Sequence, residues 1–216
     1  HSLKNQDQHY SFPGRVVFKG MVAVVKVNGQ EVTLKADKVS FYHVFRLSSF
    51  EGNLDIQIKQ LSVQTDSIAS QSPELYANIN YGKKGLSALN GFFDRATVQF
   101  AKQELSNITS KISGDARRMI FDNFQGIFCE GEVKGKIVLD YAPAVAYSMN
   151  LDIRKLQTKR LSRLNSQIFD QIDGEISGHL ILTGNLQNIT SLESDFQMSE
   201  GSTMKAALLG FIANYL

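Results

Sequence analysis

The chain has 216 residues, 43% hydrophobic and 20% charged, with a formal net charge of +2. That apolar content supports a sizeable core in one or two domains, and the near-neutral balance removes any bulk electrostatic case for nucleic acid. A single cysteine, Cys129, excludes an internal disulfide and a cysteine metal cluster, and no apolar run reaches the 18 residues of a membrane span.

Residues 1–13 are polar and begin without Met, which reads as the start of an excised fragment or a tag remnant. A signal or anchor would then belong to the rest of the parent protein. From Gly14 to Val27 the alternation predicts a strand, with Met21, Ala23, Val25 and Val27 on one side and Val22, Val24 and Lys26 on the other. Asn28-Gly29 predicts a tight hairpin, since both residues tolerate positive φ. The return strand sets Val32, Leu34 and Ala36 against Thr33, Lys35 and Asp37. Phe41, Tyr42, Phe45 and Phe50 are expected to crowd together as core or groove lining.

The run Asn53–Gln64 alternates through Leu54, Ile56 and Ile58, then changes phase at Lys59-Gln60, which predicts a β-bulge. Ser67–Pro73 reads as a turn, Leu75–Tyr81 as a short strand, and Gly82–Gly85 as a loop that lacks the rest of a phosphate-binding motif. Ala96–Phe100 and Gln103–Ile112 predict a hairpin, and Asp115–Phe121 a helical turn. Cys129, beside Phe128, reads as a buried, inert thiol in a strand.

Beyond Asp122 one phrase occurs twice: Glu130-Gly131-Glu132-Val133-Lys134-Gly135-Lys136-Ile137 and Asp173-Gly174-Glu175-Ile176-Ser177-Gly178-His179-Leu180. A fainter copy begins at Glu51-Gly52. Such self-similarity points to stacked supersecondary units. Strands are expected over Glu132–Tyr141, Val145–Ile153, Glu175–Thr183 and the run containing Leu192, Phe196 and Met198. Helices are expected over Thr158–Ile172, where Leu161, Leu164, Ile168 and Ile172 share a stripe, and over Ser202–Leu216. No nucleophile elbow, paired acid or phosphate loop is visible, and the four histidines lack metal spacing, so the expectation is no enzyme, no cofactor and no metal.

The run Leu161–Ile172, the phrase Asp173–Gly184, and Phe196-Gln197-Met198-Ser199-Glu200-Gly201 followed by Leu208–Ile212 resemble the C-terminal part of AsmA-like proteins. There a helix precedes a D-G-x-apolar-x-G strand, a second strand follows, and a glycine opens an apolar helix. The resemblance covers about the last ninety residues and is only architectural before them. It implies a mainly β fold with a few helices: an elongated, twisted, largely antiparallel open sheet of the repeated β-groove type, exposing an apolar concave face. It further implies a Gram-negative periplasmic protein, anchored in the inner membrane through regions outside this chain, that moves phospholipid between membranes or maintains the outer membrane.

On that reading residues 14–121 form N-terminal β repeats and 122–216 a C-terminal β-β-α-β-β-α unit, within one continuous structural domain. About ten strands against two or three helices need not have their whole apolar surface covered, which leaves room for a ligand. The groove candidates are Val133, Ile137, Leu139, Met149, Leu151, Ile153, Ile176, Leu180, Leu182, Phe196 and Met198. Arg154, Lys155, Lys159, Arg160 and Arg163 are candidates for lipid headgroup or partner contact, against the simpler reading of a solvated helix face. Expected partners are phospholipid or another acylated lipid and other envelope proteins, with no nucleic acid. Two alternatives stay open: a fully packed scaffold acting through protein contacts, and a closed-barrel carrier of one small apolar ligand.

Overall fold

The computed structural model describes residues 2–4, 7–11, 14–27, 30–46, 51–83, 85–100, 102–141, 145–161, 170–185 and 188–205. Nearly all of them are strand: β1 (Ser2–Lys4), β2 (Asp7–Ser11), β3 (Arg15–Val27), β4 (Gln30–Arg46), β5 (Glu51–Gln64), β6 (Ile68–Gly82), β7 (Gly85–Phe100) and β8 (Gln103–Gly114). Then come β9 (Arg118–Phe128), β10 (Gly131–Asp140), β11 (Ala146–Gln157), α1 (Thr158–Leu161), β12 (Ile172–Asp173), β13 (Glu175–Asn185), β14 (Ile189–Met198) and β15 (Thr203–Met204). Thirteen strands form one open, twisted antiparallel sheet in the order β3 to β11, then β13 and β14, with β1 and β2 end to end against the outer side of β3. The pair β12–β15 stands apart from it.

The topology follows from short connections. Antiparallel neighbours need only a tight turn, so strands joined by two- to five-residue links from β3 to β11 each lie beside their predecessor. Val27 pairs with Gln30 across Asn28-Gly29, which lie outside the described residues. Cys129 and Glu130 join β9 to β10 with φ of 46° and 64°, the two left-handed residues of a type I′ turn. Cys129 is buried as expected, but in this turn rather than in a strand. The sequence division at Asp122 falls inside β9, and the sheet runs through it.

Several local expectations are corrected. Asp115–Phe121 is a tight turn followed by a strand, because Met119 and Phe121 take alternate places on the apolar face while Asp115 closes the turn. The Asp115 carboxylate accepts the backbone N–H groups of Arg117 (2.7 Å) and Arg118 (3.1 Å). Ser67–Pro73 is mostly strand, since β6 begins at Ile68 and its turn is only Thr65–Ser67. Pro73, with no N–H to give, sits where the ladder skips a pair on both sides. The aromatic group is divided by the pleat: Phe41 is on the apolar face and Tyr42 on the polar one, while Phe50 lies outside the described residues.

The helix expected over Thr158–Ile172 is also corrected. α1 is described over Thr158–Leu161, residues 162–169 lie outside the described set, and Ile172–Asp173 is strand. Fully buried Thr158 donates its hydroxyl to the carbonyls of Ile172 and Gly174, both at 3.0 Å. One straight helix would hold residues 158 and 172 about 21 Å apart, so the closure excludes it. The second expected helix begins instead with β15, and residues 206–216 lie outside the described set. Among the described residues α1 is the only helix, and most of both expected helical spans lies outside them.

One electrostatic consequence arises at the first turn. The two backbone hydrogen bonds hold the Asp115 carboxyl below its ordinary range, so its contribution is present above the unfolded-state pKa and is lost as pH falls through the folded one. Asp115→Ala is expected to lower Tm at neutral pH, by an amount that shrinks on acidification. A difference that stayed constant or grew in melts down to acidic pH would exclude this role.

Candidate functional site

In an antiparallel sheet, directly paired residues point to the same face, so the registers can be followed from edge to edge. Starting at Val16, the partners in turn are Phe41, Ile56, Ala77, Gly91, Ile112, Phe121, Ile137, Met149, Leu182 and Leu192. No polar side chain interrupts that row. A parallel row runs through Phe18, Val39, Ile58, Leu75, Phe93 and Ser110. All eleven groove candidates fall on this same face: Val133 pairs with Ile153, Ile137 with Met149, Leu151 with Leu180, Leu156 with Ile176, and Leu182, Gly178 and Ile176 with Leu192, Phe196 and Met198. Leu139 joins them opposite Tyr147.

The face is bent. In each of β3 to β7, two residues rather than one separate consecutive members of the apolar face, and the extra ones, Gly20, Asp37, Gln60, Pro73 and Arg95, fall on one line across the sheet. Alternate members of this crease are left-handed: Gly20, Gln60 and Arg95 have φ of 59°, 53° and 51°. Further along, Asn107, Asn123 and Lys155 are left-handed beside register shifts in β8, β9 and β11. Bulges bend a strand and increase its twist. Aligned from strand to strand, they fold the apolar face inward along a line perpendicular to the strands.

Burial agrees with that geometry. Among the described residues, the main contacts are between sheet neighbours, with side chains also reaching over one strand, as Phe93 does to Phe121 and Phe100 to Phe128. Yet Val39 and Ile108 are 1% and 2% exposed, and Ala36, Ala96, Phe124, Val133, Leu151 and Ile153 are also buried. Most of these side chains pack in one cluster with neighbours from adjacent strands, and no second sheet lies over them among the described residues. Exposure rises at the far end, to 62% at Ile189 and 61% at Leu192. The result is a trough; at about 4.8 Å per strand, its eleven strands extend about 50 Å, against about 30 Å for the hydrocarbon core of a bilayer.

The opposite face is more polar, although Val44, Phe92 and Ile127 are exposed on it. Tyr76 donates its hydroxyl to Asp55 Oδ1 (2.7 Å), and the amide of Asn78 donates to the same oxygen (2.6 Å). The Asp55 carboxylate in that hydrogen bond, helped by burial, raises the Tyr76 hydroxyl above its ordinary range. Further along, Lys134 pairs with Glu132 (2.7 Å) and Lys136 with Asp122 (3.5 Å). The Lys134 ammonium holds the Glu132 carboxyl below its usual range. Exposed pairs like these contribute little stability but keep this side in water.

Of the four basic candidates among the described residues, two are ion-paired. Arg154 lies on the polar face opposite Glu132, Lys159 is paired with Asp173 (2.9 Å), and Arg160 donates to Glu130 from Nε (2.9 Å) and Nη2 (2.5 Å). Lys155 occupies a bulge with φ 55°, its backbone N–H bound to Ser177 Oγ (2.9 Å), and Arg163 lies outside the described residues.

Comparison with protein-family models, curated proteins and solved structures found no match. The geometry must carry the functional reading. What sequence reasoning missed is that β3 to β9 continue the same face, through Phe41, Ile56, Ile112 and Phe121. Their alternation was visible, but only the register joins it to the C-terminal half.

Proposed function

We propose that this chain is a non-enzymatic, lipid-handling segment of an AsmA-like periplasmic protein anchored to the inner membrane. Acyl chains lie along the apolar trough while headgroups remain in water, and lipid moves passively in support of transport between membranes or outer-membrane upkeep. The observation that carries this reading is the apolar face running across eleven strands with no second layer over it among the described residues. Each buried methylene contributes about 0.8 kcal/mol, so a partly seated chain binds usefully and still exchanges.

Gently purified protein is expected to carry phospholipid or another acylated lipid in native mass spectra, identified by extracting the same sample. Ile137→Glu, which places a charge mid-trough at a half-buried position, is expected to lose that lipid while keeping its sheet signal in circular dichroism. A clean apo mass with no uptake of added labelled lipid would instead favour a scaffold whose sheet works through protein contacts.

A further inference from the structure

The two edges of the sheet are unlike. On the β3 side the edge is occupied by β1 and β2, pieces of three and five residues. Short, broken edge strands are a common protection against unwanted pairing. The other edge is β14, ten residues long and exposed at all but one of them. It contains no Lys, Arg or Pro, and its one register shift lies near its start, between the pairs of Thr183 and Gly184. After Ser199, which still pairs with Glu175, the chain turns away: the Ser202 N–H donates to the Ser199 carbonyl, and Thr203–Met204 pairs with β12. Residues 199–205 therefore do not supply the next strand.

We propose that β14 is a docking edge that receives a β-strand from a partner protein, one with apolar residues on one side and Lys or Arg on the other. The apolar requirement comes from Leu192, Phe196 and Met198, which continue the trough face and are 61%, 43% and 37% exposed, with no strand beyond β14 among the described residues. The basic requirement comes from Glu193 and Asp195 on the other face, neither of them ion-paired among the described residues. Added main-chain hydrogen bonds would supply affinity, and the alternate side chains specificity. A second copy of this chain fits poorly. Two-fold antiparallel pairing of β14 about Glu193, Ser194 or Asp195 sets carboxylate against carboxylate, which destabilises cross-strand pairs.

The test uses the whole chain and a labelled synthetic peptide alternating valine with lysine, beside a valine–glutamate control. Saturable binding in fluorescence anisotropy is expected, about tenfold or more tighter for the lysine peptide, with new amide-exchange protection in Ile189–Met198. The double variant Glu193→Lys/Asp195→Lys, at exposed positions, should reverse the preference between peptides. No binding up to about 1 mM, equal binding of both peptides, protection confined to other strands, or a dimer formed through β14 would each overturn the proposal. The readout is at the edge, so it stands or falls independently of whether the trough holds lipid.

Discussion

Ile108→Ala is expected to lower the unfolding free energy by about 2–5 kcal/mol, whereas Leu192→Ala should change it by no more than about 0.5 kcal/mol. Both residues are aliphatic and on the same face, so the contrast isolates the bend. Ile108 is 2% exposed at the bottom of the trough, packed with Ala96, Phe124 and Val133 in one cluster. Its truncation leaves a cavity within that packed cluster. Leu192 lies at the sheet edge and loses little by becoming Ala. Urea titrations with unchanged m-values would report the two costs. Similar costs at both sites would mean that the face is covered evenly, as in a closed sandwich or barrel, and the trough would have to be abandoned.

Much of the strand content could be read from the sequence because the sheet is two-faced. Alternation marked Met21, Ala23 and Val25, then Leu54, Ile56 and Ile58, then Val133 and Ile137, and each set lies on the apolar side. The phase change at Lys59-Gln60 is likewise real, with Gln60 left-handed. What alternation does not contain is register between strands. The alignment of Gln60 with Asp37 on one side and Pro73 on the other, and so the crease, becomes visible only when the strands are paired.

Errors occurred where a period-3.6 pattern was read from segments held by other forces. Leu161 and Ile172 seemed to share a helical stripe, but the Thr158 hydroxyl ties the start of that segment to its end. The Cys129–Glu130 turn was illegible because neither residue carries the usual Asn-Gly signature, and the strands on either side impose the left-handed conformation. The basic group was read from chain proximity, and two of its charges, Lys159 and Arg160, meet Asp173 and Glu130, which only the folded chain brings near.

Gly135→Val is expected to destabilise the chain by about 3 kcal/mol or more, which would unfold a protein of ordinary marginal stability or leave it close to unfolding. Gly135 lies on the apolar face between Val133 and Ile137, with φ 155°. A Cβ there would meet the carbonyl oxygen of Asn150 and come within 2.9 Å of the Leu151 Cα. Both obstacles are backbone, so no rotamer change relieves them; β11 must move away and carry Leu151 and Ile153 out of the buried cluster. Gly178, the equivalent glycine of the second phrase, is in the same position: its Cβ would meet the Asp195 carbonyl and lie 2.8 Å from the Phe196 Cα. The repeated phrase thus has a mechanical meaning. Its second glycine is the bare position on the concave side where the next strand crosses closely, as an inward-folding sheet requires. Lys134→Val, one residue away on the polar face, controls for β-propensity and should remain within about 0.5 kcal/mol of the parent. If Gly135→Val unfolds at the same urea concentration as that control, the strands are not pinched there, and the repeat needs another explanation.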